Sequence, residues 1–380
     1  QNARSKGRFK QTNTHVIELP AGVDEVVAMA ALKRDRRLKY VELDMAVAPS
    51  VSVNDPSYLK SWALPKIQTP SAWDIAKGSG VVIAILDTGV DGSHPDLAAN
   101  MVPGWNMYDN NADTSDVQGH GTSVSGAAAM VGNNNAGSAG VAWGAKIMPV
   151  RISAPDGYGY FSTIAQGINW AADNGAKVAN VSYGVSGSST VQSAAQYMRS
   201  KGGVVVAAAG NSGVLESIAA HDSILSVSAT DSNDARASWS SYGSYVDVAA
   251  PGVSIYATTR GGSYANVSGT SFSSPITAAT VALMMSANSR LAPADIDSIL
   301  KSTAADLGTA GFDQYFGYGR VDAYKAVATA KSYVASDTQA PTISITSPTG
   351  GAVIGVVPVD VSYSDNVGVT RAELYVNGSK

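Results

Sequence analysis

Asp87, His120 and Ser271 follow one another along the chain, each at the edge of an apolar or small-residue run. Asp87 closes the run "VVIAILD", where a carboxylate is costly to desolvate unless a partner hydrogen-bonds it. Alone it reads as a strand-end residue capping a turn; beside a histidine it is a carboxylate that orients an imidazole. His120 stands between glycines in "DVQGHGTSVSGAAAM". Of the four histidines (His15, His94, His120, His221) it alone begins a small-residue helix, although a lone histidine is more often structural than catalytic. Ser271 lies in "SGTSFSSP", ahead of the helical "ITAATVALMMSAN", and a serine at a helix mouth is most simply an N-cap. As a set, the three types supply a nucleophile, its base and the group that orients the base, the constellation for covalent acyl transfer.

The elements that must carry these residues can be read from the pattern. "VVIAILDTG", "KIMPVRI", "KVANVSYG", "VVVAAAGN" and "ILSVSATD" are near-continuous apolar strands. Helical segments such as "STIAQGINWAADNG" and "STVQSAAQYMRSKG" lie between several of them. Strands buried on both faces and separated by helices predict an α/β fold with a mostly parallel central sheet in three layers. Ligands bind such sheets at the carboxyl ends of strands, where Asp87, Ser182 and Asn211 all fall. Residues 1–50 are rich in Lys and Arg and read as a small α+β unit, strand "THVIELP", a helix within "GVDEVVAMAALKRDRR", and strand "LKYVELDM". Residues 51–332 form the main domain and 333–341 a linker. Residues 342–380 alternate by two in "TISITSP", "VPVDVSYSD" and "RAELYVNGS", ending on a hairpin-like Asn377-Gly378. That is the start of a β-sandwich, which needs about 100 residues when whole.

Composition excludes several classes. The 380 residues carry no cysteine, so disulfides, zinc-thiolate sites and a cysteine nucleophile are ruled out. A net charge of −4 without a basic cluster disfavours nucleic acid as a partner. No apolar run reaches the ~18 residues of a membrane span. The chain starts on Gln1, and we expect a piece of a longer secreted precursor.

The blocks "AILDTGVDGSHPDL", "GHGTSVSG", "VVVAAAGNSG" and "SGTSFSSP", in this order, resemble the signature blocks of the subtilisin-like serine proteases, the subtilases. The likeness runs from about residue 54 to 330, and "NDPSYLKSWALPKIQTPSAWDIAKGSG" is most similar to the thermitase-like branch. The resemblance implies a serine endopeptidase in which Ser271 attacks the peptide carbonyl, His120 is the base and Asp87 its orienter. Asn211 and the Ser271 backbone N–H would bind the oxyanion. It implies pocket walls from Ser182, Tyr183 and Gly184 and from Ala208, Ala209 and Gly210. It also implies that the segment with Gly157, Gly159 and Phe161 is an edge strand pairing with substrate, Tyr183 and Phe161 lining a second apolar subsite. With no charge on those walls, a broad preference for large apolar residues before the cut is expected.

The same resemblance implies structural Ca²⁺ held by Asp55, Asp96 and Asn134 with the carbonyls of Val131, Ala136 and Ser138. A second site at Asp109, Asn111 and Asp113 competes with the reading of an acidic, solvated loop. Residues 1–50 resemble the later part of an inhibitory prodomain, an intramolecular inhibitor removed by self-cleavage near "VAPSVSVNDP", at about Ser50. The last residues resemble a truncated bacterial Ig-like domain. The expected partners are protein and peptide substrates, and the enzyme is expected to act as a monomer. Three positions depart from the family pattern: Ser123 where a second histidine is common, Phe272 where methionine is common, and Trp143 where proline is usual. Ser273 and Ser274 are expected only to pack.

Two rival classes are weaker. An esterase would carry a Gly-x-Ser-x-Gly elbow, which is absent here. A binding protein on a dead protease scaffold would have no need of the complete Asp, His, Ser and Asn set.

Overall fold

The computed structural model describes residues 4–20, 22–44, 53–334, 341–352, 354–365, 369 and 371–375. The chain divides into two compact units, residues 1–50 and 51–380.

In the first unit, β1 (Arg4–Phe9) and β2 (Thr14–Glu18) form an antiparallel hairpin, followed by α1 (Glu25–Leu32). The order is therefore strand, strand, helix, and the expected strand–helix–strand unit is corrected. The pairing partner of β2 is the polar "RSKGRF", whose basic residues hide its extended character; Lys6 pairs across the hairpin with Glu18 at 3.1 Å. "LKYVELDM" forms no strand over its described residues 38–44. Its Tyr40 hydroxyl instead hydrogen-bonds the Thr14 hydroxyl at 2.6 Å. The expected cleavage position at Ser50 lies outside the described residues.

The second unit opens with the short helices α2 (Ala63–Lys66) and α3 (Thr69–Trp73). The strands β3 (Val82–Asp87), β4 (Trp105–Asn106), β5 (Lys146–Arg151), β6 (Val178–Val181), β7 (Val204–Ala208), β8 (Ile224–Thr230) and β9 (Val248–Pro251) then build one seven-stranded sheet. Its order is β4-β5-β3-β6-β7-β8-β9, and every pair is parallel. The order reverses direction at β3, so the carboxyl end of β3 is the topological switch point where such sheets hold ligands. Between the strands come α4 (His120–Ala129), α5 (Phe161–Asp173) and α6 (Ser189–Ser200). The small hairpin β10 (Ile255–Thr259) and β11 (Ser263–Val267) precedes α7 (Thr270–Ala287), α8 (Pro293–Thr303) and α9 (Ala323–Ser332).

The pleat explains the three layers. Ile83 and Ile85 of β3 join a core with Val124 of α4 and Ala278, Val281 and Ala282 of α7. Ala84 and Leu86 join the opposite core with Ile164 and Ile168 of α5 and Val191 of α6. Residues alternating along one strand thus bury into different layers, which requires apolar side chains at each position. The α7 helix is buried from Thr270 to Met285, its serines and threonines included, as the central helix of the fold.

After the linker, β12 (Thr342–Ser347) and β13 (Asp360–Ser364) pair antiparallel. Residues 371–375 carry no strand, so the third expected run is not realised there; Asn377-Gly378 lies outside the described residues.

Candidate active site

The carboxyl end of β3 places Asp87 at the switch point, with none of it exposed to solvent. Its Oδ1 accepts the Thr88 backbone N–H at 2.8 Å. His120 Nδ1 lies 2.8 Å from Oδ1 and 3.0 Å from Oδ2. A carboxylate bonded to Nδ1 fixes the tautomer that leaves Nε2 free to take a proton.

His120 reaches Asp87 because α4 packs hard against β3. A Cβ on Gly121 would overlap the Gly89 carbonyl and lie 3.0 Å from Asp87 Cβ, and one on Gly126 would overlap Thr258. The small-residue run after His120 is therefore a requirement of close approach. Burial alone would push the His120 pKa down, but the Asp87 charge and hydrogen bond, with Asp116 further off, hold it above its ordinary 6.5.

Asp116 escaped the sequence reading. Its Oδ1 accepts from Thr88 Oγ1 at 2.7 Å, Gln118 N at 3.0 Å and Gly119 N at 2.7 Å, and Oδ2 from Thr122 N at 2.9 Å. Thr88 Oγ1 in turn accepts Gly121 N at 3.0 Å. A buried carboxylate thus ties the first turn of α4 to the end of β3. The signal available was an acid four residues before a histidine at a helix start, favourable to the helix dipole.

Ser271 is the second residue of α7, and Gly269 is the N-cap, so Ser271 is no capping residue. Its hydroxyl donates to the Ser182 carbonyl at 3.1 Å. Ser182 Oγ donates back to the Ser271 carbonyl at 2.8 Å. Pro275 stands four residues on inside the helix and has no N–H for that carbonyl; the Ser182 hydroxyl takes the place of the missing helical bond. The Phe272 ring lies 5.7 Å from the His120 ring, and Tyr183 6.5 Å from it. Ser273 and Ser274 are fully buried, and beyond packing their hydroxyls donate to Ala250 O at 3.0 Å and Asn180 Oδ1 at 2.6 Å.

Asn211 is oriented by its oxygen. Oδ1 accepts both the N–H and the hydroxyl of Thr270 at 2.9 Å, which turns Nδ2 the other way. A Cβ on Gly269 would sit 3.7 Å from Asn211 Nδ2 and 3.6 Å from Ser271 N. The Asn211 side-chain nitrogen and the Ser271 backbone nitrogen thus both lie close to Gly269, at the start of α7.

The residues expected as pocket walls fall directly after β6, at Ser182, Tyr183 and Gly184, and at the end of β7, at Ala208, Ala209 and Gly210. The segment with Gly157 and Gly159 is a loop with one bridge, Ser153 to Gly159, and Phe161 already opens α5. The expected edge strand is thus corrected: Gly157 at φ +89° turns the chain, and the Tyr183 hydroxyl donates to its carbonyl at 2.8 Å. None of these six residues is charged; close by, Glu216 Oε1 accepts from Ser212 Oγ at 2.8 Å. The sequence reading stopped at Asn211 and missed it.

Of the departures, Ser123 is buried on α4, its hydroxyl 3.4 Å from the Gly119 carbonyl. Trp143 packs edge-on against Trp73 at 6.3 Å, with Lys77 over its ring.

Asp55 and Asp96 are buried and meet at the 131–138 loop. Asp55 accepts Asn133 N at 2.7 Å and Asn134 N at 3.0 Å, and Asp96 accepts Asn134 Nδ2 at 2.6 Å and the Tyr264 hydroxyl at 3.0 Å. Gly137 leaves open a space where a Cβ would overlap Asp96 Oδ2 and the Tyr264 ring. Two buried carboxylates and the Asn134 side chain, whose Oδ1 accepts Ala136 N at 2.9 Å, bring together oxygens of the kind Ca²⁺ takes. In the other acidic loop, Asp109 pairs with Arg151 at 3.0 Å, Asn111 Oδ1 accepts Asp113 N at 2.8 Å, and Asp113 accepts Ser115 N at 3.0 Å. The three residues turn to local partners. Among the described residues no cluster of three or more His, Cys, Asp or Glu side chains suited to a metal occurs.

A parallel α/β sheet carrying an Asp-His pair, a buried serine and an amide beside it defines a hydrolase of the serine type. The chain belongs to the subtilase family, whose sequence profile matches residues 78–319, and it is a subtilisin-like serine endopeptidase. A bacterial Ig domain profile matches residues 341–380. It is 45% identical over 278 residues to thermitase from Thermoactinomyces vulgaris, covering 72% of this chain and 98% of that one. It is 38% identical to a thermophilic serine proteinase from Bacillus sp. strain AK1, over 86% of this chain and 80% of that one. Among solved structures, a protease from Pseudoalteromonas arctica matches with a TM-score of 0.67 at 36% identity, over 74% of this chain and all of that one.

Proposed function

We propose that Asp87, His120 and Ser271 hydrolyse peptide bonds through an acyl-enzyme. The observation that carries this is the two-oxygen contact of Asp87 with His120 Nδ1 at 2.8 and 3.0 Å, beside a serine flanked by two nitrogen donors. Rotation of the Ser271 side chain away from the Ser182 carbonyl turns Oγ toward the imidazole, a tightening expected once substrate arrives. His120 takes the hydroxyl proton as Oγ adds to the carbonyl carbon, and Asn211 Nδ2 with Ser271 N–H binds the oxyanion. His120 then gives the proton to the leaving amine, and water repeats the sequence to free the acid. The test is a protein substrate such as casein with Ser271→Ala: unchanged proteolysis would overturn the assignment.

The walls at 182–184 and 208–210 suit a large apolar side chain before the cut bond, and Tyr183 with Phe161 suits a second subsite. Asp55, Asp96 and Asn134, with the carbonyls of Val131, Ala136 and Ser138, would hold Ca²⁺, which when bound offsets the buried carboxylate charge. Residues 1–50 serve as an intramolecular inhibitor of a self-processing precursor, and the Ig-like segment serves in binding or anchoring. The absence of cysteine, together with the Ig-like segment, supports secretion. Among the described residues no helix is long and apolar enough to cross a membrane. The catalytic groups come from a single chain, which supports action as a monomer.

A further inference from the structure

Glu216 is hydrogen-bonded beside the residues proposed above as pocket walls. Its Oε1 accepts from Ser212 Oγ at 2.8 Å and from Ser241 Oγ at 3.4 Å. Ser212 directly follows the Asn211 donor. Ser241 lies against the wall at Gly210: its N–H donates to the Gly210 carbonyl at 2.9 Å, and a Cβ on Gly210 would be 3.0 Å from its Oγ. Tyr245 donates to the Ala209 carbonyl at 2.6 Å, and its pKa is raised, by burial first and by the Glu216 charge second. The carboxylate thus touches Ser212 directly and is linked to Gly210 through Ser241.

The carboxylate is half-buried and forms no ion pair among the described residues. Arg236, in the neighbouring segment, is engaged elsewhere: it donates to the Ala237 and Ser240 carbonyls and packs over the Tyr242 and Tyr315 rings.

We infer that Glu216 is a specificity-determining residue, which accepts the cationic end of a lysine or arginine placed before the cut bond. The uncharged walls cover the methylene stem, as apolar surfaces do for long basic side chains. Both serine hydroxyls bind Oε1, and Oε2 is the oxygen offered to substrate. Apolar side chains still fit the uncharged walls, as proposed above, and a lysine or arginine gains the pairing with Glu216 in addition. The inference rests on the peptidase reading above.

The experiment measures kcat/KM for a peptide series differing only in Phe, Leu, Lys or Arg before the cut, with the unaltered protein and with Glu216→Gln. The Lys-to-Phe ratio is expected to fall about fivefold in the variant, the scale of a partly exposed ion pair. In the unaltered protein the same ratio is expected to fall as sodium chloride rises, because salt screens the pair; this arm needs no variant. A ratio insensitive to both salt and the substitution, with the Phe peptide still cleaved, would overturn the role of Glu216. No cleavage of any peptide by the unaltered protein would overturn the peptidase reading instead, and this role with it.

Discussion

Ser182 and Ser271 exchange hydrogen bonds: each hydroxyl donates to the other's carbonyl, at 2.8 and 3.1 Å. One bond replaces what Pro275 removes from α7; the other holds the Ser271 hydroxyl, the proposed nucleophile, in one rotamer. Ser182 Oγ also accepts Asn180 Nδ2 at 2.9 Å. Ser182→Ala would leave a buried carbonyl and a buried amide without this partner, and is expected to cost about 1–3 kcal/mol of stability. Urea unfolding would read this as a lower midpoint at unchanged slope. A midpoint equal to that of the unaltered protein would show that the bonds contribute nothing net.

Removing the nucleophile and the oxyanion donor separates their roles. Ser271→Ala is expected to lower kcat about a million-fold, the loss known for a subtilisin without its serine. Asn211→Leu is expected to lower kcat about 100- to 1,000-fold with KM little changed, again the subtilisin scale for that donor. Single-turnover kinetics on an amide substrate would distinguish the two, and an Asn211→Leu effect confined to KM would count against the oxyanion role.

The pH profile follows from the Asp87–His120 pair. In the proposed mechanism the neutral imidazole is the base, and its folded pKa lies above the ordinary 6.5. The acid limb of kcat/KM should therefore have its midpoint above about pH 6.5. The pair also stabilises the fold: its contribution is full below about pH 6.5 and is lost as pH rises through the folded value. Asp87→Asn should move the acid limb to lower pH while lowering the rate. A limb that stays in place would mean that Asp87 does not set the charge state of His120.

Calcium is expected to raise the melting temperature by several degrees, and a chelator to reverse this, because a ligand bound only by the folded state stabilises it. Asp96→Asn should blunt the calcium response while leaving the response to neutral osmolytes. A melting temperature indifferent to calcium in the unaltered protein would dismiss the site at Asp55 and Asp96.

The main domain was legible because its strands are buried on both faces: "VVIAILD" admits few other environments, and β3, β5, β6, β7 and β8 fall where the runs place them. The three residues proposed as a triad stand out in the chain because Asp87 ends β3, His120 opens α4 and Ser271 is the second residue of α7. Less legible were groups whose signal is a contact between distant residues. Asp116 acts through Thr88 and Thr122, and Glu216 through Ser212 and Ser241, so neither stands out among its neighbours in sequence. In the first unit the basic residues of "RSKGRF" masked a strand, while "LKYVELDM" alternated without finding a neighbour to pair with. The loop at Gly157 was read as a strand from likeness of sequence, whereas a positive φ decides its path.

The burial of α7 bears on how the enzyme is lost from solution. The attacking hydroxyl is mounted on the helix at the centre of the fold, so a molecule loosened enough to be cut through its core has already ceased to cut. Core breakdown must then pass between an intact copy and an opened one. Where opened copies reclose faster than they are cut, decay of activity on storage is expected to be second order in protein concentration, and dilution to lengthen the working life.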